Sequence, residues 1–196
     1  MSDGPRVILA STSRYRAELL RRLLPAFTQE APDTDEAPMS GEVPATRAVR
    51  LAAAKARAVA ARHENTIVIG SDQVASLDGD ILRKPGDAAT ARVQLARSSG
   101  RTVEFFTAAC LVDTRQPAAE HAALDTTRAA FRELDAGTIE RYLDAERPFD
   151  CAGSFKCEGL GIALFDRIDS TDPTALVGLP LMAVAGLLRR CGLALP

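Results

Sequence analysis

Two short segments carry polar side chains that could bind phosphate or move a proton. Ser11 and Arg16 stand where an apolar run gives way to a helical pattern, and the free N–H groups of a helix start can bind anions. Asp72 follows the apolar run of residues 66–70, in the place where α/β folds bind their ligands. A carboxylate there could hold a metal ion or take a proton from water. The simpler alternatives are a hydroxyl cap on the helix and an aspartate that caps a turn.

Two loops add further candidates. Residues 33–36 read Asp-Thr-Asp-Glu, and carboxylates together with phosphate oxygens suit Mg²⁺ or Mn²⁺, although acidic loops are usually only solvated. Residues 151–161 combine glycines, which let the backbone approach a ligand, with a point charge at Lys156 and an acceptor at Glu158. Glycine-rich loops are common, so this segment alone is only suggestive.

The basic residues are strongly biased toward arginine. The chain has 21 arginines but only three lysines, Lys55, Lys84 and Lys156. Arginine cannot replace lysine where a compact charge on a slim stem must enter a narrow site. The three lysines are therefore candidates for phosphate ligands, and the alternative is that they remained lysine by chance.

Length and composition exclude several classes of protein. The chain has 196 residues, and its net charge of −2 lacks the basic excess of nucleic-acid-binding proteins. We therefore expect one domain over residues 1–196 and no nucleic-acid partner. No apolar stretch reaches the roughly 20 residues of a membrane span, so we expect no membrane association and a cytoplasmic location. The four cysteines form no CxxC pair, which argues against a zinc site.

Apolar runs and helical patterns alternate along the chain, which predicts an α/β fold with a mixed, twisted central sheet, flanked by helices, in two lobes around a cleft. The predicted strands are residues 6–11, 27–31, 66–70, 102–113, 122–134 and 159–165, with a hairpin at 74–84 that turns at 78–80. The predicted helices are residues 14–24, 45–62, 88–97, 136–145 and 181–191. Residues 32–44 are predicted to form a loop, and a turn is predicted near residues 115–117.

Together these segments resemble the Maf family of nucleoside triphosphate pyrophosphatases, whose fold is Maf/ITPase-like. The matching segments keep the family's order, and they are residues 9–20, 33–38, 69–74, 84–87, 98–107, 151–165 and 172–180. The resemblance implies hydrolysis of a nucleoside triphosphate to the monophosphate and pyrophosphate. It also implies a divalent metal cation (Mg²⁺ or Mn²⁺), a central cleft and a homodimer.

The resemblance also assigns roles to residues. Asp72 matches the family's proton acceptor and, with Glu36, the acidic positions near the metal. The family's phosphate-facing polar positions match Ser11, Arg16, Lys55, Lys84 and Lys156. Three further residues point to the branch that acts on 7-methyl-GTP, namely Tyr15, Gln73 and Glu158.

This substrate has a physical rationale, because methylation at N7 makes guanine cationic. An aromatic face at Tyr15 would stabilise such a cation. The carboxylate of Glu158 could accept hydrogen bonds from guanine N1–H and N2–H₂. Arg14 departs from the family pattern, since relatives often carry proline there. Two alternatives remain: a dTTP and UTP pyrophosphatase of the same fold, and a nucleotide-binding regulator of septum formation, which the intact charged residues disfavour.

Overall fold

All described strands belong to one mixed sheet, in which parallel and antiparallel parts meet at a central strand. The computed structural model describes residues 5–116 and 119–195. The strands are β1 (Arg6–Ala10), β2 (Thr28–Glu30), β3 (Thr66–Leu77), β4 (Asp80–Leu82), β5 (Thr102–Asp113), β6 (Ala119–Phe131) and β7 (Phe165–Asp169). The helices are α1 (Arg14–Leu20), α2 (Pro44–Ala60), α3 (Ala88–Ser98), α4 (Ala136–Glu146) and α5 (Leu181–Arg190).

The strand order is β2-β1-β3-β5-β6-β7, and β4 pairs with the far end of β3. The pairs that β1 makes with β2 and β3 are parallel, whereas every pair from β3 onward is antiparallel. The predicted α/β class with a mixed central sheet is therefore confirmed. In the described part of the chain, no helix is both long and apolar enough to cross a bilayer.

Two predicted strands have different bounds in the structure. β3 does not end at Gly70 but continues to Leu77, because β5 keeps pairing with it after β1 has ended. Residues 160–164 form a 3-10 turn rather than the entrance to a strand, and β7 begins only at Phe165. A Cβ added to Gly161 would come within 2.3 Å of the Lys156 carbonyl oxygen, so this turn excludes a side chain at residue 161.

Smaller differences lie at the element ends. α1 stops at Leu20, before the predicted residue 24, because the amides of Arg22 and Leu23 bond three residues back and tighten the turn. Pro44 begins α2 instead of ending the loop, as suits a residue with no amide hydrogen. The predicted hairpin turn is confirmed at residues 78–79, both with positive φ. Of the turn predicted near residues 115–117, residue 117 lies outside the described residues.

Helices cover both faces of the sheet. On one face, small residues of α2 pack on β3 and β5 around Val74 and Ala108. The other face carries two separate apolar cores, one beneath α1 and α5 and one beneath α3 and α4. Between the two cores, Ser71, Gln73 and Thr107 bond to backbone carbonyls of residues 175–178. These polar contacts separate the two apolar cores on this face of the sheet.

Candidate active site

The candidate site opens at an interruption in the sheet. β1 ends where Ala10 pairs with Gly70, and β4 joins β3 only at Ala75, so no described strand covers this edge of β3 between them. A cleft of about 1040 Å³ fills the interruption. Seven of the residues singled out in the sequence line it: Ser11, Arg16, Glu36, Lys55, Asp72, Gln73 and Lys84. Asp72 therefore lies inside a long strand, and it reaches the cleft because its neighbouring strand ends, not because its own does.

Lys55 forms ion pairs with both of the predicted metal-binding acids, Asp72 and Glu36. Its Nζ lies 2.6 Å from Asp72 Oδ1 and 2.7 Å from Glu36 Oε1. The Lys55 and Asp72 side chains are only 8% and 9% exposed, so this ion pair lies beneath the surface of the cleft. Because a charge that is buried must be paired, Lys55 and Asp72 depend on one another.

The acidic loop is held in place by arginines of α2. Arg47 Nη2 donates to the Glu36 carbonyl at 2.6 Å, and Arg50 Nη2 donates to the Ala37 carbonyl at 3.2 Å. The carboxylate of Glu42 orients Arg50, with 2.8 Å from Arg50 Nη2 to Glu42 Oε2. These three residues fix the loop that carries Glu36, and the sequence contained no signal that singled them out beyond their charge.

The carboxylate of Glu36 stays charged in this setting. Partial burial raises the pKa of Glu36, but the hydrogen bond and the charge of Lys55 outweigh it, with Lys84 and Arg16 adding to the effect. The pKa of Glu36 therefore lies below its ordinary value. An acid that is ionised at neutral pH can hold a cation together with Asp72.

The start of α1 supplies hydroxyl and guanidinium groups to the cleft. Ser13 caps the helix, its Oγ accepting from the amide of Arg16, and Ser11 Oγ accepts from the amide of Ser13 at 3.1 Å. Arg16 Nε donates to the Gly178 carbonyl at 2.9 Å, which directs the guanidinium toward Ser11. The hydroxyl cap that was the simpler alternative is thus present at Ser13, and Ser11, Ser13 and Arg16 also line the cleft.

A smaller pocket of about 110 Å³ adjoins the cleft. Tyr15, Gln73 and Glu158, the three residues that the sequence linked to base specificity, all line it. Gln73 is fixed there, because its Nε2 donates to the carbonyls of Ala175 and Leu176, each at 3.0 Å. The structure therefore places the three predicted specificity residues beside four of the predicted phosphate-facing residues, Ser11, Arg16, Lys55 and Lys84.

The lysines differ in where their charges lie. Lys84 is exposed, lines both the cleft and the pocket, and has no hydrogen-bond partner in the described part of the chain. Lys156 is outside both linings, and its Nζ donates to the Glu146 carbonyl at 3.2 Å. Glu146 also places its carboxylate 3.7 Å from this ammonium.

The cleft offers only a partial set of metal ligands. Within residues 5–116 and 119–195, no three His, Cys, Asp or Glu side chains are grouped so as to hold a metal ion. Glu36 and Asp72 nevertheless converge on one ammonium, which brings their oxygens close together. Two carboxylates completed by phosphate oxygens are a typical donor set for Mg²⁺, so the residues present fit a cation that binds with its substrate.

An α/β sheet with a polar cleft at its interrupted edge, and a smaller pocket beside it, defines a small-molecule binding site. Residues 6–191 match the family model described as Maf-like protein, and the chain belongs to this family.

Curated relatives match over nearly their whole length. The 7-methyl-GTP pyrophosphatase of Xanthomonas oryzae pv. oryzae (strain MAFF 311018) is 59% identical over 192 residues, which cover 98% of this chain and 100% of the relative. The 7-methyl-GTP pyrophosphatase of Bordetella avium (strain 197N) is 52% identical over 193 residues, or 98% and 96% of the two chains. Among solved structures, the nucleoside-triphosphatase / dITP/XTP pyrophosphatase of Mycobacterium abscessus aligns over 66% of this chain and 75% of its own, with 21% identity and a TM-score of 0.43.

Proposed function

We propose that this protein is a nucleoside triphosphate pyrophosphatase that hydrolyses 7-methyl-GTP to 7-methyl-GMP and pyrophosphate, removing a modified nucleotide from the pool. The observation that carries the proposal is the Lys55–Asp72 pair in a cleft that adjoins a pocket lined by Tyr15 and Glu158. The relatives that bear this activity in their names, at 52–59% identity, support it.

Asp72 is the general base for the attacking water in this mechanism. Lys55 holds Asp72 Oδ1, so the carboxylate keeps one orientation while it accepts a proton from water that attacks the α-phosphorus. An ammonium has three N–H donors, of which two contact Asp72 and Glu36, so the third remains for a phosphate oxygen. Lys84 and Arg16 add positive charge where the leaving pyrophosphate accumulates negative charge. In this proposal Ser11 binds a phosphate oxygen, and Lys156 contributes its charge from the edge of the site.

We also propose that the enzyme uses a divalent cation, Mg²⁺ or Mn²⁺, held by Glu36 and Asp72 with phosphate oxygens. When bound, the cation neutralises phosphate charge and makes water more acidic. Support comes from the convergence of the two carboxylates. Removal of metal with a chelator should abolish turnover, and titration with Mg²⁺ or Mn²⁺ should restore it. Full turnover by the metal-free protein would contradict this part of the proposal.

The substrate is tested by comparing pyrophosphate release from 7-methyl-GTP, GTP, dTTP and UTP at equal concentrations. We expect the highest kcat/KM with 7-methyl-GTP, and we expect Tyr15→Ala and Glu158→Ala to lower it more for this substrate than for GTP. Preference for dTTP or UTP would assign the chain to the other activity of the same fold. Triphosphate binding without turnover, with metal supplied, would instead indicate a regulator.

The catalytic role of Asp72 is tested with Asp72→Asn, which keeps the size of the side chain. We expect kcat to fall by about 10²–10⁴-fold, because the variant loses its proton acceptor. A circular dichroism spectrum and a thermal melt establish that the variant is folded. Near-normal turnover by the folded variant would refute the assignment.

From the family resemblance we further propose a homodimer in the cytoplasm, where nucleotide pools are used. Light scattering after size-exclusion chromatography tests the dimer, and cell fractionation tests the location. A monomeric mass at micromolar concentration would contradict the first of these.

A further inference from the structure

The small pocket carries negative charge that no described cation neutralises by direct contact. Asp150 lines both the pocket and the cleft, and Glu158 lines the pocket. The carboxylate of Asp150 lies 3.5 Å from the Tyr15 hydroxyl, which donates to it, and 3.4 Å from the Cys151 thiol. Glu158 lies 3.5 Å from the Cys157 thiol.

Both thiols remain neutral. Burial raises the pKa of Cys151 and that of Cys157 to about 12, and the adjacent carboxylates add to this effect. The acids in the large cleft are different, because Asp72 and Glu36 share the ammonium of Lys55. Asp150 and Glu158, by contrast, form no ion pair within the described residues, while Arg16 and Lys84 also line the pocket.

A cation already lies on Tyr15 in this structure. The Arg14 guanidinium carbon is 4.7 Å from the centroid of the Tyr15 ring, and Arg14 Nη2 donates to the Tyr15 hydroxyl at 2.7 Å. The hydrogen bond with Tyr15, with a smaller contribution from the Asp150 carboxylate, raises the pKa of Arg14. The Tyr15 ring thus carries a planar cation on the side of the cleft, which Arg14 lines, and its hydroxyl contacts the Asp150 carboxylate.

We propose that Asp150 is a specificity-determining residue, which together with Tyr15 recognises the positive charge of an N7-methylated purine at the position that Arg14 occupies here. This inference rests on the proposed function and deepens it, because it names a residue that selects the charged base over the neutral one. Neutral guanine gains stacking on Tyr15, whereas the methylated base also gains attraction from the carboxylate. A guanidinium and a methylated purine are both flat cations, so one can replace the other on the ring.

The test is the ratio of kcat/KM for 7-methyl-GTP to that for GTP, measured for the wild type and for Asp150→Asn. The substitution removes the charge but keeps the size of the side chain and an oxygen that can accept from Cys151. We expect the ratio to fall about tenfold, which is the size expected for one charge-assisted contact. Asp166→Asn is the matched control, because Asp166 is exposed on β7 and lies outside both linings. It should leave the ratio unchanged.

The outcomes separate this inference from the proposed function. If the wild type releases no pyrophosphate from 7-methyl-GTP, the proposed function itself fails. If the wild type prefers 7-methyl-GTP and Asp150→Asn keeps the wild-type ratio, only the role of Asp150 is refuted. Equal losses on both substrates would also refute it, since they would show that Asp150 only maintains the fold of the pocket.

Discussion

Gly70 lies directly against Ala52: a Cβ added to Gly70 would come within 2.2 Å of the Ala52 carbonyl oxygen and 2.6 Å of the Ala56 amide nitrogen. Because residue 70 of β3 has no side chain, α2 can lie close to the sheet at this point. One turn further along this helix, Lys55 reaches Asp72, which is two residues after Gly70 on the same face of the strand. The Lys55–Asp72 ion pair therefore depends on a glycine outside the cleft.

Gly70→Ala should destabilise the protein by about 1–3 kcal/mol, because the methyl group meets backbone atoms that can yield only if α2 moves. The same movement should lower kcat by displacing Lys55. Gly186→Ala is the matched control: Gly186 lies within α5 with nothing within 4 Å of the added methyl, so it should stabilise by about 0.5–1 kcal/mol. Thermal melts of both variants measure the difference, and an unchanged melting temperature for Gly70→Ala would contradict the close packing.

Glu42→Gln should lower the free energy of unfolding, by an amount that depends on pH. The hydrogen bond with Arg50 lowers the pKa of Glu42 from 4.5 to about 2. Because the pKa is lower in the folded state, the carboxylate stabilises the fold fully above about pH 4.5, and this contribution is lost as the pH falls toward about 2.

Urea unfolding of the wild type and Glu42→Gln from pH 7 to pH 3 measures this effect. The wild type should be the more stable at pH 7, and the difference should shrink below about pH 4.5. The variant should also bind metal and substrate less well, since Arg50 no longer holds the Ala37 carbonyl in the loop that carries Glu36. A stability difference that stays constant across this range would contradict the ionic role of Glu42.

Thr34→Val should stabilise the protein. Thr34 is one of the residues that line the cleft. Its Oγ1 is buried and has no hydrogen-bond partner within the described residues. Valine keeps the shape and removes the unpaired hydroxyl, so we expect a gain of about 1 kcal/mol in the free energy of unfolding. Thr34→Ser retains the hydroxyl and should show no gain. A lower melting temperature for Thr34→Val would mean that the hydroxyl is satisfied.

Lys84→Met and Lys156→Met should have different consequences. The ammonium of Lys84 is exposed in the cleft, so its loss should raise KM for the triphosphate about tenfold with no change in melting temperature. Lys156 bonds to Glu146 at the end of α4, so its loss should lower the melting temperature as well as affect KM. Steady-state kinetics beside thermal melts separate the two. A large stability loss in Lys84→Met would show that its charge is structural.

Local sequence predicted most of the elements well. β5 was predicted with its observed bounds, and the helices at 88–97, 136–145 and 181–191 differ from those observed by one residue at an end. These elements are set by hydrophobic period, capping residues and glycines, all of which are local properties. The error at residue 70 has another cause, since β3 continues only because the distant strand β5 pairs with it.

The sequence by itself determined which chemistry is available: carboxylates for a cation and a proton, lysines for phosphate, and an aromatic residue with acids for a base. Only the tertiary structure decided which of these groups meet. It placed Lys55 between Asp72 and Glu36, turned Lys156 toward Glu146, and laid Arg14 on Tyr15 beside Asp150. The reason is physical. Residue types and hydrophobic periodicity are local properties of the sequence, whereas contacts between distant segments depend on where strands end and on how closely a helix can approach the sheet.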